Sequence, residues 1–113
     1  MGGRCSSLVA VEPLTRTVVW RTPPLVSNNV FIVHQRYLIT GYGFTAEPDA
    51  LFIVRRSDGK VMQRISITSA HQGLSLDAEG TLTVHLHTGG PVRFRAEGFD
   101  GERPKLTALP SLR

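Results

Sequence analysis

Four histidines are the first residues in this sequence to test for chemistry. His85 and His87 stand two apart and share one face if their segment is a strand, and His71 and His34 lie in segments that could approach them. A zinc site needs three or four ligands, each held in orientation by further hydrogen bonds. Two aligned histidines fall short of that, so they read as solvated strand residues and no metal is expected. Ser66, Ser69 and Ser75 flank His71, but nothing around them has the pattern of a nucleophile elbow or an ordered triad. Asp58-Gly59 reads as a turn. No glycine-rich phosphate loop leads into a helix, because no stretch carries helical periodicity. The residues therefore argue against an enzyme, and no catalytic, cofactor-binding or metal-binding residue is assigned.

Charge and cysteine content narrow the partners. Among 113 residues there are 13 basic and 9 acidic side chains, a net charge of +4, and eleven of the basic ones are Arg. They are scattered, with Arg55-Arg56 the densest pair, so there is no basic stripe and no nucleic-acid partner is expected. The single Cys5 allows no internal disulfide. Cys5-Ser6-Ser7 is similar to the lipid-modified start of a bacterial lipoprotein, but Met1 to Arg4 supply no apolar segment before it, so no signal peptide is read. No run reaches membrane-spanning length. The expected location is the cytoplasm, or, for a portion of an exported parent, the periplasm or another extracytoplasmic space.

The elements that would position these residues are short apolar runs separated by turn residues. They are Leu8–Val11, Val18–Trp20, Val30–Val33, Tyr37–Thr40, Leu51–Val54, Val61–Ile67, Gly73–Leu76, Leu82–Leu86 and Val92–Arg95. Their length and their β-branched content make them strands. Pro13 to Arg16, Ser57 to Lys60 and Asp77 to Gly80 supply hairpin turns. Thr22-Pro23-Pro24 and Ala46 to Asp49 are expected to interrupt the ladder, because proline donates no amide hydrogen. The tail from Gly98 to Arg113, with Pro104 and Pro110, reads as loosely ordered, and residues 1–7 as a disordered N-terminus.

The runs repeat. Leu8–Val11 aligns with Leu51–Val54, Val18–Arg21 with Val61–Arg64, and Val30–Val33 with Gly73–Leu76, each 43 residues apart. Leu38 matches Leu82 after a one-residue slip, and a third unit begins at Val92. Four strands in about 40–50 residues is the period of a propeller blade. Leu8–Val11, Val30–Val33 and Leu51–Val54 are apolar at successive positions, which predicts burial on both faces. Thr81, Thr83, His85 and His87 alternate with Leu82, Val84 and Leu86, which predicts one wet face, at an outer edge or at a broken end of a stack.

Ala10-Val11-Glu12-Pro13-Leu14-Thr15-Arg16-Thr17-Val18-Val19-Trp20 resembles the pyrroloquinoline-quinone-type (PQQ-like) repeat, roughly Ala-x-Asp-x-x-Thr-Gly-x-x-x-Trp. Ala10, Thr15 and Trp20 hold the spacing; Glu12 replaces the Asp and Arg16 the turn Gly. The second copy keeps Asp58 and Gly59 but carries Gln63 where the Trp would be. The resemblance spans residues 8 to about 95. It implies an all-β fold of antiparallel four-stranded blades in a partial, open β-propeller, with about two blades plus the first strand of a third over residues 8–97. It also implies that Trp20 packs between adjacent blades, and that Gly41-Tyr42-Gly43-Phe44 leads from one blade to the next.

Function follows from the same resemblance. PQQ-like propellers without a cofactor act as protein-binding platforms, as in outer-membrane protein assembly in bacteria, so the expected role is a non-enzymatic scaffold. The partners would be further blades or another protein, with self-association through exposed blade faces. The alternative is a fragment of a quinone-dependent dehydrogenase. Such enzymes hold the quinone and Ca²⁺ with carboxylates and an Asn, and many carry adjacent cysteines. Two blades with one Cys cannot complete that pocket, so no cofactor is assigned.

Overall fold

A computed structural model describes residues 6–28, 30–44 and 47–110. Among these residues there are strands and turns and no helix. Ten strands occur in order: β1 (Val9–Val11), β2 (Val18–Arg21), β3 (Ile32–His34), β4 (Tyr37–Phe44), β5 (Glu47–Arg55), β6 (Val61–Ser66), β7 (His71–Leu76), β8 (Thr81–Leu86), β9 (Val92–Glu97) and β10 (Lys105–Ala108). They form a two-stranded hairpin, β1-β2, and two four-stranded antiparallel meanders, β3-β4-β5-β6 and β7-β8-β9-β10. Neither sheet closes on itself, so the architecture is open and all-β, consistent with stacked blades.

The period of the repeat is present, but its phase differs from the sequence reading. Sequence spacing groups the first four runs together, whereas the structure places β3 and β4 with β5 and β6. Gly41 to Phe44 is not a passage between sheets. It is the end of β4, which pairs with β5 within one sheet through Thr40↔Phe52 and Tyr42↔Ala50. Pro48 lies near the start of β5 and does not end the strand, but the pairing skips it: the register shifts between Tyr42, opposite Ala50, and Phe44, opposite Glu47, so the ladder is interrupted there as expected. Strand starts and bulges are where a missing amide hydrogen is tolerated. Ala46 lies outside the described residues.

The tail is also ordered as far as Pro110, contrary to its sequence reading. β10 pairs with β9 through Leu106↔Ala96 and Thr107↔Arg95, and Leu106 and Phe99 are buried. Tyr37 Oη donates to the Gly101 carbonyl at 2.5 Å, and its ring meets Phe99 edge-on at 5.6 Å. At the other end, residues 1–5 lie outside the described set, while the Ser6 carbonyl accepts from the amides of Val26 and Ser27.

Two layers of core result. Between the four-stranded sheets lie Tyr37, Ile39, Leu51 and Ile53 from one and Leu82, Val84, Leu86, Phe94 and Leu106 from the other. On the opposite face of β3–β6, Leu38, Tyr42, Ala50, Phe52 and Val54 pack under Leu8, Trp20 and Val26. The period of two along β5 thus sends Leu51 and Ile53 one way and Phe52 and Val54 the other, and both sets are buried. Each such side chain contributes about 1.5–3 kcal/mol by leaving water. The outer face of β7–β10 is wet, as the alternation in β8 predicts: Thr83, His85, Arg93, Arg95 and Thr107 are partly or fully exposed.

Candidate functional site

Three of the repeat-motif residues, Trp20, Asp58 and Gly59, meet at one seam. β1-β2 is a hairpin whose turn runs from Pro13 to Arg16, closed by Glu12 N–H to Thr17 O and Arg16 N–H to Glu12 O. Ala10 sits opposite Trp20, and the two put the indole on the side facing β3–β6. There Trp20 Nε1–H donates to the Arg56 carbonyl at 2.7 Å. Its ring abuts Gly59 so closely that a Cβ there would come within 2.4 Å of Trp20 Cε3. Asp58 holds the same turn through Arg55 Nη2 at 2.6 Å and the Lys60 amide at 3.1 Å. Those hydrogen bonds, Arg55 first, lower the Asp58 carboxyl to about 2. Thr15 is exposed and accepts from the Thr17 amide within its own turn. Trp20, Asp58 and Gly59 are therefore brought together, and their work is to fasten hairpin to sheet.

The histidines do not converge on one site, although Ser69 and His87 line one cleft. His34 lies on β3 with its ring 5.5 Å from Phe99. His71 begins β7 and is fully buried, its Nε2–H donating to the Val30 carbonyl at 2.8 Å, and burial lowers its pKa. His85 is on the wet face of β8, and His87 just beyond contacts Gln72. Among the described residues no group of three His, Cys, Asp or Glu side chains could hold a metal. Ser69 closes a local link with Thr88 and Ser75 sits across from Thr83. An open cleft of about 520 Å³ at the ends of β4 and β7 is lined by Gly43, Asp49, Ser69, His87 and Thr88. Asp49 Oδ1 is buried there without a hydrogen bond. The Ser69 hydroxyl in this cleft is engaged with the Thr88 carbonyl and amide, and one carboxylate and one imidazole fall short of a metal set.

The feature with most surface to offer is the open end of the stack, which sequence reasoning missed. Val30 to Val33 reads as buried on both faces, yet Val30 is 40%, Phe31 47% and Val33 53% exposed. Ile32 points into the inter-sheet core, so Phe31 and Val33 face the hairpin side. Among the described residues no second pair of strands lies over them, because the hairpin has two strands where each sheet has four. Val11, Val18 and Val19 add to the open apolar surface, Val19 at 61%. The pairing shifts between Ala10 and Val11, which places Val18 and Val19 at a bulge on β2. No signal in the single sequence marks this opening, since it depends on what lies opposite rather than on the strand itself.

No helix among the described residues is long and apolar enough to cross a membrane. A scan against protein-family models finds no match to the chain, and neither does a search of the curated proteins.

Proposed function

We propose that this chain is a non-enzymatic PQQ-like propeller segment that serves as a protein-binding scaffold. One observation carries the reading: the two ends of the stack differ. The outer face of β7–β10 is finished with Thr, His and Arg side chains, while the β1-β2 end leaves Val19, Phe31 and Val33 open. An apolar patch at one end of a small soluble stack marks a contact surface. The repeat spacing of Ala10, Thr15 and Trp20, and the four-strand period, support the propeller part of the reading.

A photo-crosslinking residue at position 19, compared with one at position 83, tests it in cells that make the protein. Adducts to another polypeptide from position 19 and none from position 83 are expected; equal labelling would refute the scaffold. The dehydrogenase alternative is tested by adding pyrroloquinoline quinone with Ca²⁺. Saturable quenching of Trp20 fluorescence together with dye reduction would establish it in place of the scaffold.

A further inference from the structure

We propose that the turn end of β3–β6 carries a binding site for a phosphate dianion, free or as the monoester of a larger molecule, held by Arg36, Arg55 and Arg56. Two adjacent hairpin turns bring these side chains together. The pairing of Tyr37 with Arg55 continues outward to Arg36 and Arg56, where the Arg56 amide donates to the Arg36 carbonyl at 3.0 Å. Residues directly opposite in an antiparallel pair send their side chains to the same face. Gln35, Arg36, Arg55, Arg56 and Ser57 line one open cleft of about 360 Å³.

Two of the three guanidiniums are already held in place. Arg55 Nε–H and Nη2–H donate to Asp58 at 2.9 and 2.6 Å, and Arg56 Nη1–H donates to the Gln35 carbonyl at 2.8 Å. The Arg56 main chain is pinned as well, since its carbonyl accepts from Trp20 Nε1–H. Side chains fixed in advance lose little freedom when a ligand arrives. Arg36 differs: among the described residues its guanidinium has no hydrogen bond or ion pair. Like charges directly opposite each other on neighbouring strands repel, and among the described residues no acidic side chain lines the cleft to offset Arg36 and Arg56. An anion between them would turn that repulsion into attraction.

The charge fits a dianion. Three guanidiniums less the Asp58 carboxylate leave two positive charges. Glu102 and Lys60, which act more weakly on Arg55 and Asp58, are of opposite sign and cancel. A phosphomonoester carries about −1.5 to −2 at neutral pH, and its oxygens match the planar fork of an arginine. A carboxylate or a phosphodiester brings one charge only. A nucleic acid would need a basic stripe to follow, whereas the other arginines are scattered, as Arg21, Arg64 and Arg93 are over three different strands. The site uses no side chain of the open apolar end, so it stands apart from the scaffold reading.

The test titrates the full chain at low salt, where exposed charges are least screened, and follows the arginine Nε–H signals by NMR. The probes are inorganic phosphate, phenyl phosphate, dimethyl phosphate and acetate. Saturable binding of inorganic phosphate is expected, with the Arg36 and Arg56 signals moving, and binding at least tenfold weaker for dimethyl phosphate and acetate. Phenyl phosphate that binds as well as the free ion makes an ester end the ligand; its exclusion makes the ligand free phosphate. Arg36 is exposed and bonded to nothing through its side chain, so Arg36→Gln leaves the fold intact and should weaken phosphate binding at least tenfold. Arg95→Gln, on the outer face of β9, should bind as the parent does. No saturation with either phosphate, no preference over dimethyl phosphate and acetate, or an Arg36→Gln variant that binds like the parent overturns the site. So does an oligothymidylate that binds more tightly than either phosphate and is weakened by Arg95→Gln, which would assign the arginines to a nucleic acid.

Discussion

Arg16 and Gly59 occupy the same turn position in successive repeats, 43 residues apart, and both have positive φ, 61° and 78°. The backbone course is thus kept where the side chain is not. For Gly the left-handed region is free of steric cost, whereas an L-residue pays roughly 1–2 kcal/mol there. The Arg16 amide is fixed in the turn by the Glu12 carbonyl at 2.7 Å, so the strain cannot relax without opening the hairpin.

Arg16→Gly should therefore stabilise the chain. Relief of the strain is partly offset by the greater freedom Gly gives the unfolded chain, leaving about 0.5–1 kcal/mol. Urea unfolding should show a higher midpoint at unchanged slope. An unchanged or lower midpoint would show that the turn carries no strain.

At the matching position the opposite is expected. Gly59→Ala adds a Cβ that would meet Trp20 at 2.4 Å, in a conformation already costly for Ala. The sum of overpacking and backbone cost is about 2–4 kcal/mol. In a Trp20→Ala background the steric part vanishes, so the penalty should fall to about 1 kcal/mol. A double-mutant cycle in which the two changes add independently would refute the contact.

How much of this was legible in the sequence depends on whether a feature belongs to a strand or to its neighbour. The all-β class, the strand positions through Val92 and the wet face of β8 came from runs and alternation within single segments. The sheet boundaries did not, because β1, β4 and β5 are equally apolar on both faces and spacing fixes a period without a phase. β10 was hidden because Lys105-Leu106-Thr107-Ala108 presents one core side chain, Leu106, between two prolines. The openness above Phe31 and Val33 is a property of what lies across from them.

The buried end of that tail has a measurable consequence. Phe99 is 2% exposed and packs on Tyr37, whose hydroxyl is bonded to Gly101. Phe99→Ala should cost about 3–5 kcal/mol. A chain ending at Glu97 should lose its cooperative thermal transition, since β9 would become an edge and Phe94 would lose Leu106 as a core neighbour. A truncated chain that melts like the parent would show the tail to be dispensable.

His71 makes stability depend on pH in a defined direction. Burial lowers its pKa below the ordinary 6.5. Between the folded and unfolded values the unfolded chain binds the extra proton, so stability rises with pH in that window. The contribution is complete above 6.5 and is lost as pH falls toward the folded value, at most about 1.4 kcal/mol per pH unit for one proton. His71→Gln should lower stability at neutral pH, by loss of the fit beside Val30, and remove this group's share of the slope below pH 6.5. An identical slope in the variant would place the acid sensitivity elsewhere.

The polar end of the stack explains why the open end need not polymerise the chain. Arg93 and Arg95 stand 42 residues after Leu51 and Ile53, with Thr81 and Thr83 opposite them as Ile39 and Gly41 are opposite the earlier pair. In β3–β6 that face is covered by the next sheet; in β7–β10 it is left to water. Replacing Thr83, Arg93 and Arg95 with Val, Leu and Ile would give the outer face the apolar character that the open end lacks as a partner. The contact so created joins one end of the stack to the other, and a head-to-tail contact without a closing rotation extends indefinitely. The triple variant should form assemblies whose mass grows with concentration in light scattering. Adding Val19→Lys and Val33→Lys should return it to the parent's size. Growth that survives those two lysines would mean that the new face pairs with itself, and that the open end takes no part.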